Sequence, residues 1–119
     1  MKILITGGAG FIGSSLAAKL LTNNLIHVVI IDNLLTGILS NIPINDNCRF
    51  IRLDVNDFST LSNLMSAEQF DYVFHYAAVV GVKRTLDNPI QVLNDIQGIR
   101  NIVELSQKTA VKRIFFDSS

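Results

Sequence analysis

Short apolar runs alternate along this chain with longer stretches whose apolar residues recur every three or four positions. Residues 2–6 contain the run Ile3-Leu4-Ile5, and His27 to Ile31 holds a second, Val28-Val29-Ile30-Ile31. Both read as strands buried on two faces. From Arg49 to Val55, Ile51, Leu53 and Val55 share one face, while Arg49 and Arg52 mark an edge position. Asp71 to Ala78 is the fourth strand and Arg113 to Asp117 the fifth. Between them the period changes. Phe11 to Thr22 carries Ile12, Leu16 and Leu20 on one stripe, widened by Ala17 and Leu21. Asp57 reads as the N-cap of a short helix with Leu61, Leu64 and Met65 inward. Asp87-Asn88-Pro89 opens a long helix to about Lys108, with the stripe Val92, Ile96, Ile99 and Val103. Gly98 in its middle predicts close contact with a neighbouring backbone. Residues 32–47 hold Gly37, Pro43 and the asparagines Asn41, Asn45 and Asn47, and predict a long loop without regular structure.

Strands alternating with helices imply an α/β fold, a doubly wound parallel sheet with right-handed crossovers. The expected strand order is 3-2-1-4-5. The order then reverses between strands 1 and 4, and ligands bind at such a point, outside the carboxyl ends of the strands. The fifth strand, Ile114-Phe115-Phe116, is apolar at three consecutive positions and wants cover on both faces. That predicts further strands beyond it, so the chain is expected to be truncated after strand 5 and incomplete as a functional unit.

Candidate chemistry sits at the first strand-to-helix turn, Thr6-Gly7-Gly8-Ala9-Gly10-Phe11-Ile12-Gly13. Gly7, Gly10 and Gly13 fit G-x-x-G-x-x-G. Gly7 is expected to turn the chain out of the strand, and Gly10 to let a diphosphate lie on the main chain. Gly13 is expected to bring helix and sheet close. N–H groups near Phe11 and Ile12 would face the anion at the positive end of the helix dipole. A glycine triplet alone also fits a plain turn before a helix. Here it follows a strand, opens a helix, and precedes an acid, Asp32, at the end of the second strand. The combination predicts dinucleotide binding in a Rossmann domain spanning residues 1–119. Asp32 would accept hydrogen bonds from ribose hydroxyls, and neutral Asn33 follows it, which favours NAD over NADP. The alternative is that Asp32 caps the loop after it.

Composition narrows the partners. The 119 residues are 49% apolar and 17% charged, enough for a buried core, and ten acids balance ten bases. Zero net charge argues against nucleic acid or an anionic membrane as partner. A single cysteine, Cys48, excludes an internal disulfide and suits the cytoplasm. No apolar run is long enough to span a membrane, no signal peptide is evident, and no metal site is expected.

These residues together resemble the extended short-chain dehydrogenase/reductases, and within them the NAD-dependent nucleotide-sugar epimerases and dehydratases. The glycine segment, Asp32-Asn33-Leu34, Leu53-Asp54-Val55 and His75-Tyr76-Ala77-Ala78 carry the likeness. Asp87-Asn88-Pro89 and Gly98-Ile99-Arg100-Asn101 fall where that family has its D-P and N-V-x-G-T-x-N segments. The resemblance implies that Asp54 and Val55 flank the adenine, and that Ala77 and Ala78 line the diphosphate and nicotinamide ribose. It puts Lys83, Arg84 and Thr85 toward a UDP-, GDP- or dTDP-sugar, and Ser119 at the catalytic Ser/Thr position. His75 is read as a structural strand-end histidine. Two departures stand out. Asp95 and Ile99 replace the Asn and Thr of the N-V-x-G-T-x-N segment, with Asn94 just before it. The family's Y-x-x-x-K pair is missing, because Tyr72 and Tyr76 are the only tyrosines and Val80 follows Tyr76 by four. The resemblance therefore implies the NAD-binding amino-terminal portion of an epimerase, homodimeric at full length and inactive as this fragment. Dehydratase or decarboxylase chemistry, or a non-catalytic NAD-binding module, are the alternatives.

Overall fold

The computed structural model describes residues 1–34, 37–76 and 89–116, with the side chains of Pro89, Gln91, Val92, Asn94 and Asp95 left out. In chain order the elements are β1 (Lys2–Thr6), α1 (Phe11–Leu20), β2 (His27–Asp32), a 3-10 turn (Leu39–Asn41) and β3 (Cys48–Arg52). Then come α2 (Phe58–Glu68), β4 (Tyr72–His75), α3 (Pro89–Lys108) and β5 (Arg113–Phe116). The five strands form one parallel sheet in the order β3-β2-β1-β4-β5, the order expected from the alternating pattern.

Apolar side chains on successive strand residues go to opposite faces, and each face has its own core. Leu4, Val29, Ile31 and Val73 pack with Leu61, Met65, Phe70, Ile102 and Leu105 under α2 and α3. Ile3, Ile5, Val28 and Ile30 pack with Ala17 and Leu21 under α1. Each such buried aliphatic side chain contributes about 1.5–3 kcal/mol relative to exposure. The helix ends follow local chemistry. Asp57 caps α2, accepting from Thr60 N at 3.2 Å and from Thr60 Oγ1 at 2.8 Å. Gln69 ends α2 in the left-handed region at φ 56°.

Two helical stripes differ from the periodic reading. Ile12 is 55% exposed, and the buried face of α1 is Gly13, Ser14 and Ala17. In the first turn of α1 the inward position is taken by Gly13, against Gly7 and Gly8, and Ile12 beside it faces outward. In α3, Ile96 and Val103 are exposed, while Gly98, Asn101, Ile102 and Leu105 are buried. Asn101 can be buried because its amide is hydrogen-bonded there. Val92 lies outside the described side chains. Gly98 does mark a close approach, but to the Val55 side chain: a Cβ there would stand 2.7 Å from Val55 Cγ2.

The loop after β2 is also more ordered than its composition predicts. Ile38 N and Asn41 Nδ2, at the N-cap and the last residue of the 3-10 turn, both donate to the Ala9 carbonyl, at 2.9 and 3.0 Å. At the far edge Phe115 stacks on Phe74, with centroids 4.7 Å apart, and both Phe115 and Phe116 remain partly exposed. Ile3, Leu20, Ile26, Tyr72, Phe74 and Phe115 line an open groove of about 510 Å³ on the α1 side of the sheet.

Candidate cofactor site

The carboxyl ends of β1 and β4 lie side by side, with Thr6 opposite both Ile31 and His75. Here the chain leaves β1 through Gly7 at φ 70°, a left-handed conformation that favours glycine. Gly7 N donates to the Ile31 carbonyl at 2.8 Å and Gly10 N to the Gly7 carbonyl at 3.1 Å, which closes the turn. Gly10 is the N-cap of α1 in extended conformation, with no side-chain cap and no acid in the first turn. The opening N–H groups of the helix are therefore left for an outside anion. Among the described residues a Cβ on Gly10 would meet only Gly7 O, at 3.3 Å, which leaves open space above this residue. Phe11 and Ile12, 81% and 55% exposed, stand at its rim.

The other glycines divide their work differently from the expectation. A Cβ on Gly13 would stand 2.7 Å from Gly7 O and 2.9 Å from Gly8 Cα. Gly13 thus lets the helix close on its own turn, not on the sheet. The close approach to the sheet belongs to Gly8, where a Cβ would overlap Ile30 Cγ2. The triplet Gly7, Gly10 and Gly13 was legible; the role of Gly8 needed the position of β2.

Asp32, at the end of β2, is 7% exposed. Its Oδ2 accepts from Ala9 N at 3.0 Å and its Oδ1 from Leu34 N at 2.7 Å. The loop-capping bond raised as the alternative is thus present, and the same carboxylate holds the glycine turn. Each oxygen keeps a further acceptor site. Leu34 takes φ 63°, strained for a leucine. Gly37 returns close to the carboxylate, where a Cβ would stand 2.7 Å from Asp32 Oδ2 and from Ala9 Cβ. Exposed Asn33 follows Asp32 on the same rim.

Leu53 N donates to the Asp32 carbonyl at 3.2 Å, which sets the end of β3 beside that of β2. Asp54 is exposed there and Val55 is buried. Asp54 Oδ1 accepts from Asn56 N and Nδ2 at 2.9 and 3.0 Å. Gly7, Gly10, Phe11, Ile12, Gly13, Asp32, Asn33, Asp54 and Val55 therefore share one end of the sheet. Ala77, Ala78, Lys83, Arg84, Thr85 and Ser119 lie outside the described residues.

His75 closes the floor of this end. Its Nδ1 is 2.7 Å from Thr6 Oγ1, which also accepts from Tyr76 N at 3.1 Å. Among the described residues Nε2 has no hydrogen-bond partner, and burial lowers the imidazole pKa from 6.5 to about 4. A neutral histidine locked in this way fits the structural reading. Ala9, Asn41 and Thr6 are the site residues the sequence analysis missed. Thr6 and Ala9 fill non-glycine positions of the glycine segment and Asn41 carries no motif, and the roles of all three depend on contacts between distant segments. Cys48, at the opposite end of the sheet, is half-buried, and burial raises its pKa.

Comparison with known proteins bears on this geometry. The sequence matches the NAD dependent epimerase/dehydratase family over residues 3–119. It is 38% identical over 118 residues to a putative UDP-glucose 4-epimerase of Methanocaldococcus jannaschii, covering 98% of this chain and 37% of that protein. It is 38% identical over 127 residues to a UDP-N-acetyl-alpha-D-glucosaminuronate decarboxylase of Bacillus cytotoxicus, covering 99% of this chain and 36% of that one. The fold superposes on the Thermotoga maritima UDP-glucose 4-epimerase crystallised with UDP-glucose, with a TM-score of 0.91 and 35% identity, over 100% of this chain and 38% of that one. A Thermus thermophilus UDP-glucose 4-epimerase in complex with NAD gives a TM-score of 0.87 at 31% identity, over 96% of this chain and 36% of that one. The chain thus spans little more than a third of the length of these relatives. Among the described residues no helix is long and apolar enough to cross a membrane.

Proposed function

Because the chain belongs to the NAD dependent epimerase/dehydratase family, we propose that residues 1–119 are the NAD-binding part of an enzyme that epimerises a UDP-sugar. The observation that carries this is the uncapped start of α1 over open space at Gly10, beside the buried Asp32 carboxylate. The N–H groups of the first turn, from Phe11, Ile12 and Gly13, would hold the diphosphate. Asp32 and Asn33 would take the adenosine ribose hydroxyls, and Asp54 with Val55 would flank the adenine. Ala77 and Ala78 would line the nicotinamide ribose, and Lys83, Arg84 and Thr85 would face the sugar nucleotide. Bound NAD would supply reversible hydride transfer at a sugar carbon. The Ser119 hydroxyl would hydrogen-bond the reacting oxygen.

No Y-x-x-x-K pair stands in these 119 residues, so this reading assigns the catalytic base to a segment outside them, and expects no turnover from the chain alone. The UDP-sugar assignment is supported by the UDP-glucose named for the relatives. Decarboxylation is the second reading, favoured by the equally similar decarboxylase. The exposed Leu93, Ile96 and Val103 on α3 suit a homodimer contact, and the lone cysteine suits the cytoplasm.

Cofactor choice tests the reading. Asp32 would oppose a 2′-phosphate. Titration with NAD and NADP is expected to show NAD binding at least tenfold tighter, about 1.4 kcal/mol. Equal or tighter binding of NADP would refute the role given to Asp32.

A further inference from the structure

Helix α3 meets the segment after β3 at two points, through Gly98 and Asn101, and a bond within the helix supports the second. Asn101, 2% exposed, donates from Nδ2 to the Val55 carbonyl at 2.8 Å. Gln97 Nε2 donates to Asn101 Oδ1 at 2.8 Å. A carbonyl only accepts, so this pair of bonds fixes which end of the Asn101 amide faces Val55. Gly98 lies between them and leaves room for Val55 Cγ2. Val55 directly follows Asp54, whose Oδ1 is already engaged by Asn56 N and Nδ2. That leaves Oδ2 of an exposed carboxylate at the rim of the candidate site, on a turn whose next residue is pinned from behind.

We propose that Asn101 is a positioning residue for cofactor recognition: through the Val55 carbonyl it holds the Asp54–Val55 turn so that the Asp54 carboxylate meets an adenine 6-amino group. The inference rests on the NAD reading above. An ionised carboxylate accepts hydrogen bonds and donates none. It therefore favours the 6-amino group of adenine and opposes the 6-carbonyl of hypoxanthine. Such discrimination needs the turn held within a fraction of an ångström. A single amide spanning helix and turn does this without touching the ligand. Gln97, exposed on α3, holds the amide in its turn.

The test compares three probes by titration calorimetry: NAD, nicotinamide hypoxanthine dinucleotide, and nicotinamide mononucleotide, which has no base at this position. The parent protein is expected to bind NAD at least about tenfold tighter than the hypoxanthine analogue. In Asn101→Ala that ratio is expected to fall below about threefold, with mononucleotide affinity within about twofold of the parent. Gln97→Ala, at the surface, is expected to give an intermediate ratio with an unchanged melting temperature. A residue that only fills the core would lower Tm without moving the ratio. If Asn101→Ala folds, retention of the parental ratio overturns the proposal; if it does not fold, retention of that ratio in Gln97→Ala does. A parent that binds NAD without discriminating the analogue overturns this inference alone. A parent that binds no NAD overturns the cofactor reading and this inference with it.

Discussion

Acidification should destabilise this protein through His75 before it does so through its carboxylates. The imidazole is buried and bonded on one side to Thr6, and among the described residues Nε2 has no partner. Burial holds its pKa at about 4, against 6.5 for the ordinary group. In the unfolded chain His75 takes up a proton as pH falls through 6.5, whereas in the folded protein it stays neutral to about 4. Between those values the unfolded state binds more protons, so stability rises with pH. The contribution is present above 6.5 and is lost as pH falls toward about 4. A tenfold difference in proton affinity corresponds to about 1.4 kcal/mol, so the loss from about pH 7 to about pH 4.5 is on the order of 2 kcal/mol. For a domain with total stability of about 5–15 kcal/mol that is readily measured.

The assay is urea denaturation at a series of pH values and constant salt, with His75→Asn as control. Asparagine keeps a polar atom near the Nδ1 position for Thr6 and does not titrate. The parent is expected to lose the stated stability across the window, while the variant, less stable at neutral pH, shows a much flatter profile. The same loss in both proteins, or no loss in the parent, would refute the argument. Glu68 and Asp71 carry lowered pKa values, chiefly from hydrogen bonds with the Lys2 ammonium and backbone N–H respectively. Their contributions are present above the ordinary values of 4.5 and 3.8 and are lost as pH falls below them, so most of that loss lies at the acid end of the series and is common to parent and variant.

Other expectations follow from the site and the sheet edge. Gly10→Val should weaken NAD binding more than tenfold, about 1.4 kcal/mol, with Tm near the parent, because among the described residues its Cβ meets only Gly7 O, at 3.3 Å. Gly13→Val should instead destabilise the fold by about 1–3 kcal/mol, since its Cβ runs into the backbone of Gly7 and Gly8; equal melting temperatures for the two variants would refute the division of roles. Leu34→Asn should raise stability by about 1 kcal/mol in urea titration by easing a left-handed backbone, and an unchanged midpoint would show that no strain is held there. The 119-residue chain alone should associate through the open face around Phe74 and Phe115. Sedimentation should show this association reversed by Phe115→Ser, and a monomer at every concentration would refute it.

The amino-acid order alone was sufficient for the strand sequence, the parallel sheet and its 3-2-1-4-5 order, because apolar runs, helical periods and crossover handedness are local or general rules. The glycine turn and Asp32 were legible for the same reason: one spacing carries a backbone shape and an acid at the next strand end. What stayed hidden depends on which distant segments meet. The buried face of α3 could not be read from its apolar stripe, because Asn101 is satisfied only where the Val55 carbonyl stands. Ile96 and Val103 look like core residues until the packing faces them outward. Gly8 has a purpose only against Ile30, and Ala9 only against Asp32, Ile38 and Asn41. His75 is perturbed because a register pairs it with Thr6 and buries its far nitrogen. Periodicity describes one element at a time, whereas a hydrogen-bond partner, a close approach or a desolvated charge belongs to two, and exists only once the sheet has brought them together.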